Sequence, residues 1–270
     1  MNFLGFDEAN IVIFGMANRK SVAYAVSQVL ADAGANLLYV VRDDQVRAQT
    51  QKLLGDAPVI CCDVEDEAAI AALPDQLPAE FRADGIDGIV HSIAFANYSD
   101  GFGAFHETGK RDFLQAMDIS CFSLVEIANC FQPFLTPRAS IVTISISSTR
   151  MAAENYGYMG PIKAALDSSV VFLAKSLGSG TEIRVNAVGA GLLKTSSSAG
   201  IPGYVDSYLY AEKVIPRGRN LETREVADTV AFLLSERASG ITGQTLIVDA
   251  GMSISYFDRA IVRRVTAPDQ

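Results

Sequence analysis

The stretch NIVIFGMANRKSVAYAVSQVLADAGANLLYVV, residues 10–41, reads in one pass as strand, turn, helix and strand. NIVIF, residues 10–14, reads as a strand stopped by Gly15, its apolar run IVIF being what is expected of a strand buried on both faces. Ser21 then opens a segment in which Val22, Val26, Val29 and Leu30 recur at helical spacing, and Gly34 supplies its C-terminal stop. NLLYVV, residues 36–41, is a second apolar run. Two buried strands separated by a helix form the unit of a parallel sheet, because parallel strands need a crossover between them.

The same alternation extends along the chain. Further strands are expected at 59–62, 88–90, 139–145, 183–187 and 244–248, and helices at 67–77, 110–134, 155–177 and 223–235. No low-complexity linker or internal repeat interrupts the series. The expected fold is α/β: a single Rossmann-type doubly wound parallel sheet of about seven strands with helices on both faces. It fills residues 1–270 as one dinucleotide-binding and catalytic domain. Residues 196–219, rich in Ser, Gly, Tyr and Pro, are the one long excursion and read as a substrate-binding lid. Residues 255–270 show little pattern and read as a tail.

Composition narrows the function. The chain has 270 residues, 49% of them hydrophobic, and a formal charge of −9. That supplies a large core and disfavours a nucleic-acid surface or an anionic membrane as partner. No apolar run approaches the ~20 residues of a membrane span. The opening MNFLGFDEAN has acids where a signal peptide would have its apolar core, so a cytoplasmic protein is expected. The four cysteines, Cys61, Cys62, Cys121 and Cys130, lack CxxC spacing and read as reduced thiols. The two histidines, His91 and His106, are too few and too isolated for zinc, and no metal is expected.

Chemistry enters at ENYGYMGPIKAAL, where Tyr156 and Lys163 stand seven residues apart. In a helix that is two turns, so both side chains would leave one face. A phenol beside a buried ammonium would have a lowered pKa and could donate a proton to a substrate oxygen during hydride delivery. The spacing is common in helices and means little alone. Gly15 and Ser21 are a tight turn and a helix cap, which either shape a phosphate site or simply end a strand and start a helix.

Taken together, GMANRKSVA, CDV (62–64), HSIAFAN (91–97), DIS (118–120), NYGYMGPIKAAL, IRVNAVGAGLLKT (183–195) and GITGQTLIVDAG (240–251) resemble the enoyl-acyl-carrier-protein reductases. These are a divergent branch of the short-chain dehydrogenase/reductase superfamily. The likeness runs in order over nearly the whole chain, apart from the C-terminal tail. Its discriminating element is Tyr156-x6-Lys163, where ordinary superfamily members have Tyr-x3-Lys.

The resemblance implies reduction of an enoyl thioester, carried on acyl carrier protein or coenzyme A, by a nicotinamide cofactor. It places Gly15, Ser21 and Val22 at the pyrophosphate and Asp63 and Val64 at the adenine. Ser92, Ile93 and Ala94 would lie at the ribose, Leu193 would hold the carboxamide by its backbone, and Thr195 would bond the pyrophosphate. Lys163 would bond the ribose and keep charge near Tyr156, and Tyr156 would bond the thioester oxygen. Phe95, Ala96, Ile146, Ser147, Tyr156, Met159 and Ala199 would border the substrate. The resemblance also implies a homotetramer. The helices at 110–134 and 155–177 carry surplus apolar residues, among them Phe122, Leu124, Phe131, Val170, Val171 and Phe172, which would suit it.

Two departures matter. The family's second tyrosine, ten residues before the catalytic one, is here Ile146, which cannot donate a proton; Ser147 and Ser148 either substitute or merely finish the strand. The lid reads GIPGYVDSY, with Asp206 and no base, although Lys194, Lys213, Arg217 and Arg219 lie nearby. After the second strand Arg42 suits a ribose phosphate, while Asp43 and Asp44 weaken the field; NADPH is favoured and NADH is the alternative. A carbonyl reductase of the same superfamily, made plausible by the serines and Ile146, is a second reading. A non-catalytic nucleotide-binding regulator is a third.

Overall fold

A computed structural model describes residues 3–99, 101, 103–153 and 156–267. Seven strands, β1 (Asn10–Phe14), β2 (Asn36–Val41), β3 (Val59–Cys61), β4 (Ile86–His91), β5 (Leu135–Ile146), β6 (Arg184–Ala190) and β7 (Thr245–Val248), form one sheet. Every pairing is parallel, and the order is β3-β2-β1-β4-β5-β6-β7. The winding reverses between β1 and β4, where a doubly wound sheet opens a crevice at its carboxyl edge.

The sheet divides its own side chains between two cores. Val12, Phe14, Leu38, Val40 and Ile89 face one layer, while Ile11, Ile13, Tyr39, Val41 and Val90 face the other. Alternation with both faces apolar is why these strands read as unbroken hydrophobic runs. The first layer is closed by α5 (Lys110–Met117), a π-helical turn at Asp118–Phe122, α6 (Ser123–Phe131) and α7 (Met159–Leu177). The second is closed by α1 (Val22–Asp32) and α10 (Thr223–Leu234). Fully buried side chains such as Phe131 and Leu30 contribute roughly 1.5–3 kcal/mol each.

Of the remaining helices, α3 (Glu67–Ala71) and α4 (Ala79–Ala83) add Ile70 and Phe81 to the first core, and α2 (Asp44–Leu54) packs Val46 and Leu54 against the second, whereas α8 (Ser196–Ala199), α9 (Tyr204–Val214) and α11 (Arg259–Thr266) add no residue to either. The expected helix at 67–77 is therefore the short α3 followed by a 3₁₀ turn at Leu73–Gln76, because Pro74 cannot continue an α-helix. The excursion at 196–219 contains two helices, α8 and α9, with Gly203 between them at φ +70°. The tail is not patternless: Arg259–Thr266 is helical, capped by the Asp258 carboxylate, while 268–270 lie outside the described residues.

One expectation fails at the site. The helix expected at 155–177 begins at Met159; Asn155 lies outside the described residues, and Tyr156 sits one turn before the helix. Gly157 at φ +54° breaks the backbone between them, so Tyr156 and Lys163 do not share one helix face. Of the surplus apolar residues, Leu124, Phe131 and Val170 are core, whereas Phe122, Val171 and Phe172 are exposed.

Candidate active site

The predicted residues gather at the carboxyl edge of the sheet around the β1/β4 crevice. Gly15 ends β1 at φ +86°, and a Cβ there would lie 2.0 Å from the Ser92 carbonyl oxygen. Only glycine lets the loops after β1 and β4 approach so closely. Ser21 caps α1, accepting from the Tyr24 amide at 3.2 Å, and donates to the Asn18 carbonyl at 2.7 Å. The first turn of α1 has no acidic residue, and its leading amides have no partner within the helix, so its chemistry fits a phosphate.

Arg42 follows β2 and is exposed; its Nε donates to Asp43 at 2.9 Å, while Asp43 also caps α2 through the Val46 amide at 2.8 Å. These bonds hold the Asp43 carboxyl below its ordinary range, the Val46 amide first and Arg42 second. Asp44 pairs with Arg47 at 2.7 Å. Asp63 is exposed just past β3, and Val64 is buried beside it. Ser92 and Ile93 are half-buried and Ala94 is exposed.

Phe95 and Ala96 are half-buried in the following loop, fixed by a residue to which sequence reasoning gave no role. The Ser120 hydroxyl accepts from the Phe95 amide at 2.8 Å and donates to the Phe95 carbonyl at 3.0 Å. Tyr98 and Tyr158 were also missed. Tyr158 donates to the Asn97 carbonyl at 2.8 Å, Tyr98 donates to the Tyr156 carbonyl at 3.3 Å, and their rings lie 5.9 Å apart. The two tyrosines tie the loop after β4 to the turn that carries Tyr156. Tyr158 stands inside the quoted motif, but no sequence signal marks Tyr98.

Tyr156 is half-buried, and enough protein surrounds it that burial pushes its phenol well above its ordinary pKa, with the nearby Tyr204 phenol adding to the effect. The expected lowering is absent, so Tyr156 is a neutral hydrogen-bond donor. Lys163 is buried on α7 and donates to the Ile144 carbonyl at 2.8 Å. Burial pulls its ammonium down to about 8, against the opposing pull of Asp167. His91 is a structural residue: its ring lies between the Thr143 hydroxyl at 2.8 Å and the Ser123 hydroxyl at 2.9 Å. Burial, then the Lys163 charge, lowers its pKa to about 3.

Ile146 ends β5 half-buried, and the Ser147 amide donates to the Ala190 carbonyl at 2.9 Å, continuing the ladder with β6. Ser147 therefore continues the strand by its backbone and is itself half-buried. Met159 is buried in the first core layer, and Ala199 is exposed on α8. The Thr195 hydroxyl caps α8 through the Ser198 amide at 3.1 Å, and Ser196 donates to Asn18 at 2.7 Å, tying the lid to the loop after β1. Leu193 is buried, its amide and carbonyl both engaged by the Tyr204 hydroxyl at 2.8 and 2.7 Å. That peptide offers one donor and one acceptor, the complement of a primary carboxamide. Near the lid, Arg217 and Arg219 both bond Glu225, at 2.5 and 3.2 Å, and Arg219 also pairs with Glu222 at 3.3 Å, so two carboxylates match their two charges within the chain.

Among the described residues no cluster of His, Cys, Asp or Glu could hold a metal, and no helix is long and apolar enough to cross a membrane. A family model described as enoyl-(acyl carrier protein) reductase matches residues 15–253. The enoyl-acyl-carrier-protein reductase (NADH) of Nostoc sp. is 38% identical over 91% of this chain and 96% of its own length. The corresponding NADPH protein of Staphylococcus aureus is 36% identical over 92% of this chain and 98% of its length. The crystal structure of the Aquifex aeolicus reductase (NADH) superposes with a TM-score of 0.88 at 32% identity, covering 94% of this chain and 99% of that one. A Bacillus cereus reductase with NADP+ and indole naphthyridinone bound gives 0.87 at 32% identity, covering 93% and 99%.

Proposed function

Because the chain belongs to the enoyl-acyl-carrier-protein reductase family, we propose that Tyr156 and Lys163 are its catalytic pair and that the β1/β4 crevice holds its nicotinamide cofactor. The protein is an NAD(P)H-dependent reductase of enoyl thioesters on acyl carrier protein, acting in fatty-acid biosynthesis. NAD(P)H, when bound, supplies the hydride. The chain supplies placement and charge: α1 holds phosphate at its first turn, Ser92–Ala94 border the ribose, and the Leu193 peptide orients a carboxamide.

The observation that carries this reading is the neutral Tyr156 phenol at the carboxyl edge, with buried Lys163 behind it. As the substrate carbonyl oxygen gains charge, a preorganised O–H donor stabilises it more than it stabilised the ground state. Lys163 keeps positive charge in a dry site, where it acts on ribose hydroxyls and on the developing charge.

NADPH is the favoured cofactor on the strength of Arg42, the exposed cation just beyond β2. Its partner Asp43 keeps its N-cap bond whichever way the guanidinium turns. Arg42→Ala should lower the NADPH-to-NADH ratio of kcat/KM about tenfold or more, through loss of a charge-assisted contact; an unchanged ratio would refute the assignment. The carrier is the acyl carrier protein of the family, and a coenzyme A thioester is a second acceptable substrate because GIPGYVDSY offers no base to an acidic partner. The four free cysteines support a reducing, cytoplasmic setting. The central test is NAD(P)H oxidation with a crotonyl thioester against an acetoacetyl thioester. Turnover of the first but not the second is expected, and the reverse would establish the carbonyl-reductase reading.

A further inference from the structure

We infer that Tyr204 is a reversible stopper of the carboxamide subsite at Leu193, so that seating the nicotinamide end of the cofactor and releasing the lid helix are one event. This rests on the assignment of the Leu193 peptide to the carboxamide. The hydroxyl accepts from the Leu193 amide at 2.8 Å and donates to the Leu193 carbonyl at 2.7 Å, while the Thr195 amide takes the second lone pair of that carbonyl at 3.2 Å. An amide has one proton and a carbonyl two acceptor positions, so the peptide is saturated. A primary carboxamide presents an N–H donor and a C=O acceptor to the same pair. It cannot bind there while the phenol stays.

Tyr204 is placed to leave. It is the first residue of α9, preceded by Gly203 at φ +70°, and a Cβ built on Gly203 meets nothing within 4 Å. Only Ala211 and Val214, near the other end of α9, are buried, while Val205, Leu209 and Tyr210 are exposed. The first turn of α9 thus buries no side chain, and the Tyr204 hydroxyl, a group that a ligand can replace, is its bond to the Leu193 backbone. Ser120 makes the same two-way bond to Phe95, but it is fully buried within a long helical run and has no such freedom. Because the two occupants exclude each other, the linkage is reciprocal: whatever holds the lid helix down weakens nicotinamide binding by the same factor.

The test compares NADPH with its nicotinamide-free fragment, phospho-ADP-ribose, by calorimetry on wild type and Tyr204→Phe. The variant should bind NADPH about tenfold more tightly, in line with two released hydrogen bonds, and the fragment with unchanged affinity. In wild type, NADPH should speed amide exchange in the first turn of α9, and the fragment should not. In Tyr204→Phe the Leu193 amide is open to water, so its protection by NADPH tests the subsite separately. Protection without any affinity gain or lid response would overturn the stopper alone. No protection would overturn the subsite assignment and the stopper with it. A melting temperature near wild type confirms that the variant is folded, and the wild-type exchange comparison stands without the variant.

Discussion

A phenol that burial keeps protonated is the group this reaction needs at the substrate oxygen, since an ionised Tyr156 could accept a hydrogen bond but not donate one. Tyr156→Phe should lower kcat by about 10²–10³, the scale seen when one oxyanion donor is removed, and leave cofactor affinity near wild type. Steady-state kinetics with calorimetric titration checks this; a matching loss of nucleotide affinity at normal turnover would remove Tyr156 from the chemistry. Lys163 sets a pH limit. Its pKa in the fold, about 8, lies below its unfolded value because burial disfavours the ammonium. Its charge is present below that value and lost above it, so kcat/KM should fall as pH rises through about 8. Stability runs the other way: between that pKa and the unfolded one the unfolded chain binds more protons, so folding is favoured as pH rises across the window. In Lys163→Arg the guanidinium stays charged, and the alkaline limb should disappear from whatever activity remains. A limb that persists would belong to another group.

At the scale of elements, the strands were legible because burial on both faces writes a strand as an apolar run. Asn10–Phe14 and Asn36–Val41 match their expected bounds, while β4 gains Ile86, Asp87 and His91 and β5 gains residues 135–138 and Ile146, mostly beyond polar residues or a proline that interrupt the apolar run. The start of α7 was illegible: Gly157 turns to positive φ, a choice made by the contacts of Tyr98 and Tyr158 and not by local pattern. The lowered phenol pKa failed for a related reason, since spacing along a chain says nothing about how much protein closes over a ring. Arg217 and Arg219 read as free bases, yet Glu225 lies only one helical turn into the next element and takes both, which brings its carboxyl to about 2. Ile146 tests the end of β5. As a wall of the substrate site, Ile146→Tyr should keep activity and change preference among enoyl chain lengths, with melting temperature near wild type. As a core residue it would overpack by ~1–3 kcal/mol and leave preference alone. Thermal melts beside a substrate panel separate these outcomes.

At the scale of the molecule, the isolated chain exposes 14099 Å², where a monomer of 28.9 kDa typically exposes about 11,400 Å². Phe122, Val171 and Phe172 contribute to that excess from the helical layer, and Phe172 is 74% exposed. A tetramer joined through two-fold contacts of these helices would cover them. Light scattering should give four times 28.9 kDa at micromolar concentration, and Phe172→Asp should shift the mass downward; a wild-type monomer would exclude the assembly. Finally, a sheet ordered β3-β2-β1-β4-β5-β6-β7 can be built in the order the ribosome delivers it. β2 joins one side of β1, β3 joins β2, β4 takes the other side of β1, and β5, β6 and β7 follow outward from there. Each newly made strand finds a free edge, and none has to be threaded between two that have already paired. Synthesis from the N-terminus can therefore proceed by growth at the margins, with the nucleotide-binding strands assembled before the segment bearing Tyr156 has left the tunnel.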